Sequence, residues 1–418
     1  MENYIFSGVD MVALAREFRT PLYVMSEDEI VRRLRELKAV FDDKYDGAQT
    51  YYASKAFLTK DMVRILKRED IGLDVVSGGE LYIARELGFD MSKIMFHGNN
   101  KTVEEIDFAL RCRIGRFVCD SIDEMLWIDQ IARNEGKKAT ILIRVTPGVD
   151  SHTHSYISTA MKDSKFGVPL SEMMQAVEIG MKLENVHLSG FHFHVGSQLL
   201  ENTSHLMAVD ILLGVIREAS ERLGFVTEEF DLGGGFGVYY TKEDKPMPPS
   251  YFIEPMVARI HDFCNAHGLR VPRLMVEPGR WVVGEAGITL YTIGSIKEIP
   301  NIRTYVGIDG GFPDNPRPAL YQADYEAVVA NKMDQELVQT VTIAGKCCES
   351  GDILIKDLRV PQLERGDILA VKSTGAYNYS MASNYNKNPI PSVVMIREGV
   401  PVLSVRRQTT EEMYERDL

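Results

Sequence analysis

Apolar and polar positions follow two different rhythms along the chain, and the change falls near residue 282. Before it, eight short apolar segments alternate with longer amphipathic ones. The short segments have the length of buried strands, and the longer ones have helical periodicity. The strand candidates are TYYAS, LDVVS, IMFHG, RFVCD, ILIRVT, SGFHFHV, FDLGG and LMVEP. Eight β/α units predict an α/β protein with a (β/α)8, TIM-like barrel. A doubly wound open sheet would show the same alternation, so it stays as the alternative.

Capping signals mark the helices between these strands. The amphipathic segment 79–87 is followed by Gly88, and the segment 205–224 also ends on glycine, both typical of helix C-termini. Ser121, followed three residues later by Glu124, predicts a capping box at the start of another helix.

Beyond residue 282 the pattern is rich in strands and lacks long helices. Its segments ITLYTIGSIKEI, TYVGIDGG, QTVTIAGKC, DILAVKSTG and SVVMIREGVPVLSVRR predict an antiparallel β-sandwich or β-barrel domain. Residues 1–28 end in TPLYVMS, a strand-like piece that is expected to pair with this domain. The predicted domains are therefore a barrel at 29–281 and a β domain built from 1–28 and 282–418.

Composition narrows the function without identifying it. The chain has 418 residues and a net charge of −13, which argues against nucleic-acid binding. Its five cysteines, Cys112, Cys119, Cys264, Cys347 and Cys348, show no paired spacing, so neither a disulfide framework nor a zinc site is expected. No signal peptide is visible in MENYIFSGVD, and no apolar run approaches the roughly 20 residues that span a bilayer. A cytoplasmic protein without membrane contact is expected.

Polar side chains and glycines follow the predicted strands, where the catalytic groups of a barrel lie. They are Lys55, Ser77, His97, Asp120 with Ser121, Arg144, His194, Gly233 to Gly235, and Glu277 with Arg280. One such residue says little, because a lone lysine is better explained by a buried strand reaching the surface. Together they predict a single polar site.

The glycines of DLGGGFG, residues 231–237, allow backbone N–H groups to approach an anion. A tight turn without a ligand explains them equally well. A lysine at a strand end together with a phosphate cradle predicts pyridoxal 5'-phosphate, held by Lys55 as a Schiff base. Glu277 would keep the pyridine nitrogen protonated, and His194 would stack on the ring, unless it is only a core histidine. His192 and His194 also suggest metal ligands, but no carboxylate spacing completes a zinc site, so no metal is predicted.

Ten motifs spread over the chain carry a family resemblance. They are YYASKAF, GLDVVSGGEL, FHGNNKT, RVTPGVDSHTHSYISTAMKDSKFG, GFHFHVGSQ, DLGGGFG, EPGR, RPALY, CCESGD and TGAYNYSMASNYN. The chain resembles the fold type III, alanine-racemase-like pyridoxal-phosphate decarboxylases, and within them the diaminopimelate decarboxylase family. The resemblance implies decarboxylation of meso-2,6-diaminopimelate to L-lysine and CO2, the last step of lysine biosynthesis, by a homodimer with shared active sites.

Residue roles follow from this resemblance. The catalytic residues implied are Lys55, His194 and Cys348. The cofactor contacts implied are Lys55, His194, Ser197, Gly234, Gly235, Glu277, Gly279, Arg280 and Tyr377. Arg280, Arg317, Tyr321 and Tyr377 are implied in substrate binding. Glu349 is implied in binding the distal amino group, and Cys348 and Glu349 are expected to cross the dimer interface.

Two segments depart from the family pattern. The family usually has Gly-Met-Asn-Asp before RPALY, whereas residues 311–316 read Gly-Phe-Pro-Asp-Asn-Pro. The usual arginines after NYN are replaced in 387–390, which read Lys-Asn-Pro-Ile. The alternatives are a decarboxylase of lysine, ornithine, arginine or a siderophore-precursor conjugate, a racemase, and a non-catalytic cofactor carrier. The motif CESGD disfavours the racemase, and the β-rich residues 282–418 disfavour the carrier.

Overall fold

The computed structural model describes residues 2–149 and 164–418, and the chain forms two compact units. We call the first the β unit; it contains Met1–Arg33, Val238–Lys245 and Arg280–Leu418. The second, the barrel unit, contains Leu34–Gly237 and Pro246–Gly279. The inclusion of 238–245 in the β unit had no counterpart in the predicted boundaries. The part of the motif at 144–167 that spans 150–163 lies outside the described residues.

The strands in chain order are β1 (Ile5–Phe6), β2 (Val9–Asp10), β3 (Leu22–Ser26), β4 (Gln49–Ala53), β5 (Gly72–Val75), β6 (Ile94–Phe96), β7 (Arg116–Cys119), β8 (Ala139–Thr146), β9 (Val168–Pro169), β10 (Val186–His192), β11 (Glu229–Asp231), β12 (Arg273–Val276), β13 (Gly287–Ile299), β14 (Arg303–Ile308), β15 (Ala327–Val329), β16 (Gln339–Ala344), β17 (Ile353–Val360), β18 (Ile368–Val371), β19 (Ser392–Arg397) and β20 (Val400–Val405). The helices are Met11–Phe18, Glu27–Val40, Lys60–Glu69, Gly78–Glu86, Val103–Cys112, Ile122–Asn134, Met173–Lys182, Thr203–Leu223, Pro249–Ala266, Arg280–Val283 and Arg317–Tyr321. Of these described helices, none has the length and apolar character needed to cross a bilayer.

The barrel unit closes as predicted, and the open sheet is wrong. Its strands run in the order β4, β5, β6, β7, β8, β10, β11, β12, all in parallel. The last strand then pairs with the first, with Met275 opposite Gln49 and Val276 opposite Thr50. Since every strand points the same way, all their carboxyl ends lie at one mouth of the barrel.

The interior of the barrel is filled by side chains from several of its strands. Its core cluster consists of Tyr51, Met95, Val118, Leu142 and Met275, which are fully or almost fully buried. Near the start of the strands, the Arg116 guanidinium donates to both Glu229 oxygens at 2.9 Å. Such bidentate pairing compensates the desolvation of two charges, and it seals the end of the barrel away from the strand carboxyl ends.

The helix predictions are confirmed with one correction. Gly88 and Gly224 follow their helices with positive φ, at +62° and +67°. Ser121 accepts the Glu124 N–H at 3.2 Å, as expected of an N-cap. The Glu124 carboxylate, however, accepts from the Asp120 N–H at 2.6 Å and from Lys101 Nζ at 2.8 Å. The predicted capping box is therefore only half formed, because a buried lysine draws the carboxylate to itself.

The β unit is a mixed sheet rather than a purely antiparallel one. Its strand order is β17, β16, β14, β13, β3, β19, β20, with β18 between β13 and β15. The pairs β14–β16 and β3–β19 are parallel, and the others are antiparallel. As predicted, the TPLYVMS segment joins this sheet, because β3 lies between β13 and β19.

Candidate active site

Lys55 lies at the mouth of the barrel, in the 3-10 turn Ser54–Ala56 that directly follows β4. The residue is exposed, while its neighbours on both sides are buried. Its positive charge acts on the pKa of His194, Asp74 and Glu80, so the ammonium lies within electrostatic reach of all three. A flexible, solvent-facing amine just beyond a buried strand suits covalent attachment of a carbonyl compound.

Glu277 is the centre of a buried polar group just past the end of β12. His192 Nε2 lies 3.1 Å from Glu277 Oε2, and His97 Nε2 contacts the other carboxylate oxygen. Burial acts to raise the pKa of the Glu277 carboxyl, but the imidazoles of His97 and His192 outweigh it and hold that pKa well below its usual range. Burial also lowers the pKa of His192 to about 4. Glu277 is therefore an ionised carboxylate, and His192 is a neutral donor to it.

Two further carboxyl groups, those of Asp231 and Asp74, lie near Glu277. Burial raises the pKa of Asp231 well above its usual value, and the charge of Glu277 adds to that effect. Burial likewise raises the pKa of Asp74 to about 7, against the opposing charge of His97. Because like charges cannot share a buried space without cost, Asp231 keeps its proton so that Glu277 can remain ionised.

His194 lies beside the glycine loop that follows β11. Its Nδ1 accepts a hydrogen bond from the Gly234 N–H at 3.5 Å. Burial, together with the positive charges of Lys55 and Arg144, lowers the pKa of His194 well below its usual value. The ring is neutral and half-buried, which is the state in which an imidazole can stack on a flat ligand without repelling Lys55.

The glycine loop is packed backbone against backbone. A Cβ on Gly234 would lie 2.3 Å from the Glu277 carbonyl oxygen, and one on Gly235, at φ +93°, would lie 2.2 Å from the Gly196 carbonyl oxygen. Only glycine permits this approach. The loop is thus brought against the segment that contains Ser197, which is exposed, and against that of Glu277. Gly279 packs in turn against Ala53, where a Cβ would come within 2.9 Å of its Cβ.

Other residues flagged at strand ends have structural tasks. Ser77 and Ser121 are N-caps of the helices that follow them. Asp120 accepts the Gly167 N–H at 2.9 Å. The Arg144 guanidinium lies over the Phe166 ring, 4.4 Å from its centroid, although its charge still contributes to the electrostatics of His194.

The β unit brings together the predicted carboxylate-binding residues. The guanidinium of Arg280 lies 4.8 Å from the Tyr377 ring centroid, and that of Arg317 lies 5.5 Å from the same centroid. Arg280 also donates to the Tyr240 hydroxyl, and Arg317 Nε donates to the Tyr325 hydroxyl at 3.0 Å. Both arginines are more than nine-tenths buried. Two guanidinium groups held on aromatic rings have the charge and the fixed orientation that suit a carboxylate.

The remaining predicted residues are exposed. Tyr321, 61% exposed, has its ring 5.4 Å from the Arg317 guanidinium. Cys348 and Glu349 lie in the loop between β16 and β17, and both are exposed. The Glu349 carboxylate accepts the N–H of Gly351 at 3.1 Å. This single chain therefore presents Cys348 and Glu349 outward.

Comparisons with known proteins agree with this geometry. The family profile described as pyridoxal-dependent decarboxylase, pyridoxal binding domain, matches residues 27–284. The diaminopimelate decarboxylase of Bacillus methanolicus is 46% identical over 403 residues, which cover 96% of this chain and 93% of that protein. That of Bacillus subtilis strain 168 is 44% identical, over 98% of this chain and 94% of its own length. The chain belongs to the diaminopimelate decarboxylase family.

A solved structure of this family superposes over the whole chain. It is diaminopimelate decarboxylase from M. jannaschii in a complex with L-lysine, which is 33% identical. The TM-score is 0.94, and the match covers 100% of this chain and 96% of that one. The family profile and the solved structure thus both place the chain among the pyridoxal-dependent decarboxylases, and the solved structure has the same fold.

The residues of the barrel unit fit pyridoxal phosphate, which is the cofactor of this family. Glu277 offers an ionised, buried carboxylate, whose Oε1 is contacted by His97 Nε2 and whose Oε2 is contacted by His192 Nε2. That carboxylate suits a protonated ring nitrogen, the glycine loop suits a phosphate, and Lys55 suits the aldehyde. His97, His192, Asp231 and Glu277 also place ligand atoms within 4.8 Å of one another, a spacing compatible with a metal ion.

Sequence reasoning missed part of this site. Asp74 and Asp231 are carboxylates inside or at the end of apolar strands. This unusual position in the sequence could have identified them as part of the site. Asp231 forms a cluster with His97, His192 and Glu277. The four residues lie on or just after four different strands, so no local spacing in the sequence reveals the cluster. Tyr240 and Tyr325, which hold the two arginines, are ordinary tyrosines in the sequence and gave no signal.

Replacing Lys55 by Ala should abolish covalent cofactor binding. The visible absorbance of bound pyridoxal phosphate should disappear from the purified protein, and CO2 release should fall below detection, because the amine that holds the aldehyde is gone. Lys60→Ala, on the exposed start of the following helix, is the matched control and should retain both. Substantial turnover by Lys55→Ala would contradict the assignment.

Asp314 should make stability depend on pH. Its side chain is 3% exposed, and burial raises its pKa to about 7, against the Gly311 N–H that it accepts. Between about pH 4 and pH 7 the unfolded chain loses this proton while the folded chain keeps it, so folding is penalised as the pH rises. Asp314→Asn removes that penalty.

The melting temperature of Asp314→Asn relative to the wild type should therefore be higher at pH 8 than at pH 5. Calorimetry across this range measures the difference. Asp324→Asn, at an exposed position, should give a curve parallel to that of the wild type. A parallel curve for Asp314→Asn as well would mean that the carboxyl titrates normally.

Proposed function

We propose that this protein decarboxylates meso-2,6-diaminopimelate to L-lysine and CO2. The observation that carries the proposal is the pair of buried arginines, Arg280 and Arg317, on the ring of Tyr377. Diaminopimelate has two carboxylates, of which one leaves and one stays in the product. Two guanidinium groups of fixed orientation suit the one that stays. Lysine, ornithine and arginine lack that second carboxylate and would leave both charges unmatched.

Residues of the barrel unit would act at the reacting end. Pyridoxal phosphate, when bound, supplies the electron sink that accepts the electron pair left behind by CO2. Lys55 would hold the cofactor and yield its place to the substrate amine. Glu277, ionised inside the barrel, would keep the ring nitrogen protonated. His194, neutral, would lie against the ring and keep water from that face.

The far end of the substrate carries an ammonium group as well as a carboxylate. Glu349 is the proposed partner of that ammonium, because a carboxylate is the natural acceptor for it. Cys348, its neighbour, is proposed to act near the reacting carbon. Since both are exposed on one chain, we propose a homodimer in which each subunit supplies them to the active site of the other. The cytoplasmic location stays a prediction from the sequence.

CO2 release by the cofactor-loaded protein tests the substrate. We expect turnover with meso-diaminopimelate and formation of L-lysine, with no comparable release from L-lysine, L-ornithine, L-arginine or a carboxylated diamine conjugate. Lys55→Ala serves as the blank. An inert meso-diaminopimelate together with turnover of another substrate would overturn the proposal and would assign a changed specificity to residues 311–316 and 387–390.

Mixing two inactive variants tests the shared active site. Lys55→Ala and Cys348→Ala should each be nearly inactive alone. After dissociation, mixing and reassembly, heterodimers contain one site with both residues intact, so activity should recover to about a quarter of the wild-type value. Native mass spectrometry verifies that heterodimers form. Heterodimers without any recovery would contradict the exchange of Cys348 between subunits.

A further inference from the structure

The two segments that depart from the family pattern meet at one loop of the β unit. The Phe312 N–H donates to Asp352 Oδ1 at 2.7 Å, and the Phe312 ring packs edge-on against Tyr385, with centroids 5.6 Å apart. Tyr385 opens the turn that leads into residues 387–390. A residue from the first departing segment is thus joined to the turn beside the second.

The same contacts hold the loop 347–352, which carries Cys348 and Glu349. Asp352 uses its other oxygen, Oδ2, to accept the Cys347 N–H at 3.0 Å. Asn386 Oδ1 accepts the Cys348 N–H at 2.9 Å. These bonds fix the backbone of Cys348, while its side chain and that of Glu349 stay exposed.

The turn that supplies Asn386 is itself under strain. Asn386 and Lys387 both have left-handed backbone conformations, with φ of +51° and +55°. Asparagine tolerates this conformation, but it is unfavourable for lysine and persists at Lys387 where neighbouring contacts impose it. The Phe312 ring on Tyr385 is a contact of this kind at the start of the turn. It helps to hold the turn in the shape that aims the Asn386 side chain at the loop.

We propose that Asn386 and Phe312 are positioning residues that determine how the loop 347–352 presents Glu349 to the substrate. The inference rests on the proposed function, because it assigns Glu349 to the second ammonium group. Asn386 acts through its bond to the Cys348 N–H, and Phe312 acts through Tyr385 and Asp352. Phe312, from the first departing segment, then sharpens the selection of a diamino substrate.

The ratio of kcat/KM for meso-diaminopimelate to that for 2-aminopimelate tests the proposal. 2-Aminopimelate keeps both carboxylates but lacks the second ammonium group, so the ratio measures recognition of that group alone. Asn386→Ala should lower the ratio about fivefold, the effect of losing one neutral hydrogen bond. Cofactor absorbance should not change. Asn386→Asp keeps an acceptor oxygen and should retain at least the wild-type ratio.

Two further variants sharpen the comparison. Asn134→Ala, at an exposed position at the end of the helix Ile122–Asn134 in the barrel unit, is the control, and its ratio should equal that of the wild type. Phe312→Met restores the residue usual in the family and should lower the ratio, since a flexible side chain holds Tyr385 less firmly.

The outcomes separate this inference from the proposed function. A wild type that releases no CO2 from meso-diaminopimelate refutes the proposed function, and this inference with it. A wild type that is active, combined with an unchanged ratio in Asn386→Ala, overturns the inference alone. Equal loss on both substrates would overturn it too, because a merely structural defect lowers both rates together.

Discussion

Closure of the barrel is the constraint from which the candidate site follows. Glu277 directly follows β12, and Lys55 lies in the turn that directly follows β4. The pairing of β12 with β4 therefore places these two segments next to each other. Without it, the parallel strands would form an open sheet with its two edges apart. Because the strands are parallel and form a closed ring, the polar residues that follow them all lie at the same mouth of the barrel. The seal formed by Arg116 and Glu229 occupies the other end, so the two ends have different tasks.

The buried carboxyl groups at this mouth of the barrel differ in charge: Glu277 is ionised, whereas Asp231 is protonated. This difference serves the chemistry of the site rather than the stability of the fold. Burying an ionised carboxylate is costly unless donors compensate it. His97 and His192 compensate Glu277, whereas Asp231 keeps its proton. The result is one fixed negative charge among several titratable groups. A cationic ring nitrogen requires such a partner, and the cost of maintaining it is carried by the well-packed strands around it.

The fold could be predicted further than the site. The eight barrel strands were readable because each is a short apolar run ended by polar residues, and β3 was readable as a strand outside that count. The mixed character of the second sheet was not readable, because strand direction leaves no local pattern. Lys55, Glu277 and the glycine loop were visible because their residue types are unusual where they occur. Tyr240 and Tyr325 were invisible because their task, holding Arg280 and Arg317, exists only in three dimensions.

The position of β3 has a consequence for the order in which the chain acquires its structure during synthesis. β3 is made before the barrel, yet its two neighbours in the sheet, β13 and β19, are made only after the whole barrel. All five residues of β3 are buried in the finished protein, so the nascent chain carries an apolar strand with two open edges for most of its translation. The barrel strands need nothing beyond residue 276 to close. A ribosome that stalls between β12 and β13 therefore leaves a chain whose barrel strands are complete while β3 is still unpaired, the kind of product that cellular quality control removes.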